Sequence, residues 1–158
     1  ERFSDRYLWS RGEIVEDIAK DGQAALKVSL QNYLYSGASL RYFSGNWSGA
    51  KTLHLSVYNP DKKPLPLSLR IQDSVHDAGT QAYSDRYNHD FDANNGWTDL
   101  IIPISKIEQA PRSRSMNITD ITRLRIYARD DKHAVQSFYI YSVYLTFSDM
   151  TATSGDKP

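Results

Sequence analysis

Apolar residues return at every second position in a series of short segments along the chain. The cleanest runs from Leu65 to Asp73, where Leu65, Leu67, Leu69 and Ile71 make one face and Ser68, Arg70 and Gln72 the other. A two-residue period places alternate side chains on opposite sides of an extended backbone, so it predicts a strand with one buried face. Segment 52–58 repeats the pattern, with Leu53, Leu55 and Val57 against His54, Ser56 and Tyr58. Further strands are predicted at 12–17, 24–30, 39–43, 81–91, 97–102, 123–129 and 138–147. Between them stand turn formers: Lys20-Asp21-Gly22, Asn59-Pro60-Asp61, Asn94-Asn95-Gly96, then Pro103 and Pro111. Helix is expected only as single turns near 104–109 and 118–121.

Eight to ten short strands with almost no helix solve their packing problem best as two stacked antiparallel sheets. The expected class is therefore all-β, a β-sandwich of two antiparallel sheets. The chain of 158 residues is long enough for one core. Residues 1–150 are read as a single domain, and 151–158 as a polar tail or linker.

Composition changes this picture little. Lys plus Arg and Asp plus Glu number 19 each, so nothing draws the whole molecule toward nucleic acid or an anionic membrane. Apolar runs are too short to span a bilayer, so no membrane insertion is expected. There is no Cys, and disulfides therefore do not hold the fold. The start at Glu1-Arg2-Phe3 reads as a domain cut from a larger multi-domain protein, or as a mature form. Tyr, at 11 residues, is abundant and suits strands and ligand surfaces alike.

The densest polar cluster lies between Arg70 and Phe91: Arg70, Asp73, His76, Asp77, then Tyr83-Ser84-Asp85-Arg86-Tyr87-Asn88-His89-Asp90. Planar polar side chains of these types suit sugar hydroxyls, because each fixes two hydrogen bonds in one plane. Equally, Asp73, Asp77 and Asp85 can cap turns, with Arg86 paired to one of them. Arg70, Arg123, Arg125 and Arg129 fall on outward phases of two strands, and Arg112 and Arg114 share a loop. Converged, they would grip a carboxylated or sulfated sugar; otherwise they form a solvated face with ordinary cross-strand ion pairs. Tyr33, Tyr35, Tyr42, Tyr58, Trp9 and Trp47 lie in or near loops and outward strand phases; most of the tyrosines read as sheet-surface residues, with one or two serving as stacking platforms, while Trp97, after Asn95-Gly96, reads as core.

No catalytic or metal motif emerges. Asp73 and His76 have helical rather than strand spacing, and the His residues form no close pair. A lyase or hydrolase would need His76 or Tyr83 as base, with Arg86 neutralising a carboxylate. Asn117-Ile118-Thr119 matches a glycosylation acceptor, which has no meaning in a bacterial source.

Four stretches carry a resemblance: "LHLSVYNPDKKPLPLSLRIQDSVH", "YSDRYNHDF", "GWTDLIIPISKIEQAPRSRSMNITDITRLRIY" and "FYIYSVYL". They resemble a bacterial galactose-binding-like jelly-roll domain, related to carbohydrate-binding modules and often attached to VanZ-like membrane proteins or envelope proteins. The resemblance covers roughly residues 47–145. Asp73-x-x-His76 followed by Tyr83-x-Asp85-Arg86-Tyr87-Asn88 is its most specific part, supported by Gly96-Trp97 and the segment from Ala110-Pro111 to Met116. It implies a jelly roll that binds sugar, in an extracellular or cell-envelope setting. Related modules carry an Asp in the last strand that helps hold a structural calcium. Tyr141 stands at that place here, a poor calcium ligand. Glu16, Asp17 and Asp21 could hold an ion only with other partners, and no cofactor is expected.

The reading from sequence is thus a non-catalytic carbohydrate-binding module for a polysaccharide or oligosaccharide. Its site would use Asp73, His76, Arg86 and Asn88, with Arg70, Arg112 and Arg114 on anionic groups and Tyr35 or Trp47 stacking. The alternatives are a polysaccharide lyase or hydrolase on the same sandwich, or a protein-interaction domain.

Overall fold

The computed structural model describes residues 9–20, 23–31, 33–41, 43–129 and 136–147. Tyr42, Asp21 and the 151–158 tail lie outside the described residues. Nine strands occur among the described residues: β1 (Glu13–Lys20), β2 (Gln23–Ser29), β3 (Gly37–Leu40), β4 (Thr52–Asn59), β5 (Leu65–Asp73), β6 (Tyr87–Ala93), β7 (Gly96–Pro103), β8 (Ile121–Ala128) and β9 (Ser137–Thr146). They form two antiparallel sheets, a five-stranded one in the order β1-β2-β9-β4-β7 and a four-stranded one in the order β3-β8-β5-β6. Two one-turn helices complete the fold, α1 (Ser74–Ala78) and α2 (Ile104–Glu108).

Alternation in sequence becomes alternation of burial. In β4, Leu53, Leu55 and Val57 are buried and their neighbours half-buried. In β5, the four apolar residues Leu65, Leu67, Leu69 and Ile71 are fully buried, and Ser68 and Gln72 of the opposite face are covered as well. β5 lies between β8 and β6, so both of its edges are hydrogen-bonded. Leu26, Val28, Leu53, Leu55, Leu67, Leu69, Leu124, Ile126 and Phe138 fill the space between the sheets. The β4–β5 turn is tied by Asn59, whose amide donates to the carbonyls of Lys63 and Ala93 at 3.0 and 2.8 Å.

Three expectations change. Segment 81–91 is not one strand: Gln81 takes a positive φ of 59° and Tyr83–Asp85 form a single 3-10 turn before β6 begins. Residues 118–120 form a turn rather than helix and Ile121 already begins β8; the Asn117 side chain accepts from the backbone N–H and hydroxyl of Thr119. Trp97 is not core. It sits half-buried on the outer face of the five-stranded sheet, against Tyr58 (5.0 Å between ring centres) and edge-on to Tyr141 (5.7 Å). Tyr141 is the extra residue of a β-bulge, since Ser56 pairs with Ser142 and Val57 with Ile140.

Candidate functional site

The polar cluster expected between Arg70 and Asn88 separates into two groups with different chemistry. The first is a buried staple. Asp73 ends β5 and caps α1, its Oδ1 accepting from the His76 backbone N–H at 2.9 Å. Oδ2 accepts from the Asn117 backbone N–H at 2.7 Å. Arg114, from the loop after α2, donates both Nη atoms to Asp73 at 2.7 and 2.8 Å, and its Nε to Asp85 Oδ1 at 2.7 Å. His76 is fully buried; its Nδ1 lies 3.1 Å from the Asp85 carbonyl, which can only accept, so Nδ1 carries the proton. Nε2 is buried without a hydrogen-bond partner among the described residues.

Charges in the staple hold one another ionised. Burial pushes the Asp73 pKa up, but hydrogen bonds from Arg114, Asn117 and His76 outweigh it and leave the carboxyl below its ordinary value. Arg114 holds Asp85 down likewise, and the two carboxylates raise the Arg114 guanidinium in return. With every oxygen of Asp73 used internally, this constellation fastens the 109–117 loop and the 3-10 turn onto the end of β5. Asp73, His76 and Arg114 are therefore engaged in holding the fold, and the structure does not bring them together with Arg70 and Arg86 as the sequence reading expected. Trp47 is likewise part of the fold: its ring is fully buried in the core and its Nε1 donates to the Ser44 carbonyl, so neither face is open for stacking. Arg112 is exposed in the same loop, where its backbone N–H bonds the Ser84 carbonyl at 2.9 Å.

The second group is a cleft. Cross-strand register places Ser39, Arg125, Arg70 and Asn88 in one row on the outer face of the four-stranded sheet, with Gly37, Tyr127, Ser68 and Asp90 in the next. Above the first row opens a cavity of ≈ 290 Å³, lined by Arg70, Arg86, Arg125, Tyr35, Tyr83 and Tyr127. Tyr35 and Tyr83 stand at its rim, 59 % and 61 % exposed. Tyr35 meets Tyr127 edge-on at 5.5 Å, and the Arg86 guanidinium lies 5.1 Å over the Tyr83 ring.

Each of the three arginines is oriented by a neutral acceptor. Arg70 Nε donates to the Gln72 amide oxygen at 2.7 Å, and Arg86 Nε to the Asn88 amide oxygen at 2.8 Å. Arg125 donates to the Ser39 hydroxyl at 2.9 Å and to the Tyr35 carbonyl at 2.6 Å. Tyr35, whose carbonyl accepts that last bond, has a left-handed backbone conformation, φ 64°, unusual for a tyrosine. Among the described residues no carboxylate forms an ion pair with these arginines; the exposed acids of β6, Asp90 and Asp92, face Arg129 instead. Burial, then the neighbouring cations Arg86, Arg123 and Arg125, lower the Arg70 pKa. Arg125 is lowered by burial and then by Arg123. Used at Nε, Arg70 and Arg86 keep their terminal forks for an incoming anion.

Sequence reasoning selected Arg70, Arg86, Asn88 and Tyr35, which meet here. It placed Arg125 on the outward arginine face but left it out of the site, and it passed over Tyr127 and Tyr83 as platforms. The signal for Arg125 was its phase on β8. Its position opposite Arg70 needed the β5–β8 register. A larger depression of ≈ 510 Å³ at the β2–β9 end mixes Lys27, Lys62 and Asp61, with no exposed ring for stacking. No three His, Asp or Glu side chains gather as a metal site among the described residues. Nor is any described helix long and apolar enough to cross a membrane.

No family model and no curated protein matches the chain. Solved structures do. A family 11 carbohydrate-binding module from Clostridium thermocellum, in complex with a β-1,3-1,4-mixed-linked tetrasaccharide, aligns over 94% of both chains with a TM-score of 0.66 and 13% identity. The family 30 module of cellulase Cel9D-Cel44B from the same organism aligns over 94% of this chain and 91% of its own, with a TM-score of 0.59 and 12% identity. The xylan-binding family 22 module of Paenibacillus barcinonensis Xyn10C covers 92% and 94%, at a TM-score of 0.50 and 17% identity. The fold is a jelly-roll β-sandwich like that of these modules. At these identities the likeness extends to the fold alone.

Proposed function

We propose that this domain is a non-catalytic module that binds an anionic polysaccharide, carboxylated or sulfated, in the tyrosine-walled cleft over β8 and β5. One observation carries the reading: Arg70, Arg86 and Arg125 converge on one cavity, each held by a neutral group, with no carboxylate among the described residues to balance them. Like charges brought together and partly desolvated are unfavourable unless an anion relieves them. Tyr35 and Tyr83 offer exposed ring faces to the apolar faces of a sugar. The jelly roll supports the same reading, since a structure of this fold was solved with a bound tetrasaccharide. A second similar structure is only a part of its protein: the chain spans 28% of a Clostridium thermocellum xylanase fragment comprising a family 22 and a GH10 module. On that pattern the domain serves a larger, bacterial, extracellular or envelope protein by holding it to its polysaccharide.

A lyase fits less well. His76 is sealed from solvent, and the Tyr83 hydroxyl stands at an open rim where water is not excluded.

Affinity electrophoresis through gels containing polygalacturonate, a sulfated galactan or a neutral mixed-linkage glucan tests the proposal. Retardation is expected in the anionic gels, weakening as salt is added. Asn88→Asp puts a carboxylate of nearly the same shape against Arg86 and beside Arg70, and should cut that affinity about tenfold. Equal retardation by the neutral glucan with no effect of salt would remove the anionic half of the reading, and no retardation in any gel would remove the sugar.

A further inference from the structure

The cationic face continues beyond Arg125. On its other side the same residue lines a second depression of ≈ 520 Å³, bounded by Arg123, Arg41, Ser10, Ser39 and Thr122. Arg123 precedes Arg125 by two residues on the outer face of β8, opposite Gln72, so the two side chains leave the sheet about 6.6 Å apart along the strand. Arg41 follows directly on Leu40, the end of β3, which is the edge strand of this sheet. Both side chains are exposed, and among the described residues neither forms an ion pair. Among the described residues no Asp or Glu lines either depression. Five arginines thus border two adjoining depressions on the face of β5, β8 and β3, with Arg125 shared between them. Ser10, Ser39 and Thr122 add neutral hydroxyls of the kind that pair with sugar hydroxyls.

A ligand with a single charged sugar would relieve one basin and leave the other cationic. We propose that the second depression is an anion subsite, and that the ligand is a linear polyanionic glycan with charges on at least two units, gripped along its length and not by one charged end. This rests on the anionic-polysaccharide reading of the first basin. The two basins are joined by Arg125, so a chain lying in one reaches the other without leaving the surface. Its second charge then binds at high effective concentration.

Calorimetric titration with oligogalacturonates of increasing length tests it. For the wild type, affinity should climb about tenfold when the chain becomes long enough to place a second charge by Arg123 and Arg41. Arg41→Gln with Arg123→Gln should abolish that climb and leave the affinity of the shortest binding oligomer unchanged. Both residues are exposed, so an unchanged melting temperature is expected for this variant. An equal loss at every length, or no loss at any, overturns the second subsite while the first basin stands. Binding of no acidic or sulfated oligomer by the wild type overturns the anionic reading itself. Short single-stranded DNA that binds as tightly, with the same dependence on Arg41 and Arg123, overturns the glycan as the polyanion.

Discussion

Asp73 shows why residue type alone misleads. An Asp followed at helical spacing by His, with arginines nearby, is a set that both ligand sites and buried staples use. Burial separates them: Asp73 and His76 are fully enclosed, and the partner that decides the role of Asp73 is Arg114, 41 residues away. Removing that partner leaves a buried carboxylate with backbone donors only, so Arg114→Ala should cost about 3 kcal/mol, read as a lower urea midpoint at neutral pH. The pH dependence has a definite sign. Asp73 and Asp85 are depressed in the folded protein, so their contribution is complete above the ordinary aspartate value of 3.8 and is lost as pH falls through the lowered native values. In the variant, Asp73 is buried without its cation and prefers the protonated form. The gap between the two proteins should therefore narrow on acidification, and a gap that stays constant would show that the pair is not what holds the loop.

At the scale of elements, the alternation in β5 and β8 was legible from the chain, and with it the outward phase of Arg70, Arg123 and Arg125. Which strands lie side by side was not, because β5 and β8 are separated by two strands in sequence and pair only in the folded sheet. The choice left open by the sequence, between a solvated ion-paired face and a cation cluster, resolves differently along the sheet. Arg129 pairs with Asp92, while Arg70 and Arg125 meet no acid among the described residues. The floor of the cleft also depends on how closely β3 approaches β8. A Cβ on Gly37 would sit 2.0 Å from the Ile126 carbonyl oxygen, so only glycine fits. Gly37→Ala should push β3 away and destabilise the domain, with faster amide exchange at Ser39 and Leu40 than elsewhere in the sheet. Because Ser39 and the Tyr35 carbonyl orient Arg125, glycan affinity should fall with it.

For the whole molecule, the balanced net charge hides a segregated one: Asp90, Asp92 and Arg129 neutralise one end of the outer face, and five arginines border the two depressions. Balance over the chain speaks only to long-range attraction, whereas a site is governed by charges within a few ångströms. Trp47 makes the complementary point about aromatics. Its ring belongs to the core shared by both sheets, so Trp47→Ala should destabilise by about 3–5 kcal/mol. Glycan affinity, measured well below the melting temperature, should stay at the wild-type level. A selective loss of binding with stability intact would return it to the site.

Alternation and turn chemistry are local properties, set by the two-residue period of an extended backbone and by the conformations that Gly, Pro and Asn favour, and so the chain by itself determined the all-β class and the outward phase of Arg70, Arg123 and Arg125. The jelly-roll order of the strands, the exchange of Asp73 and His76 from site to staple, and the meeting of Arg70 with Arg125 depend on contacts between residues far apart in sequence. No local preference encodes those, since burial and neighbouring charge arise only when the two sheets form and close on each other.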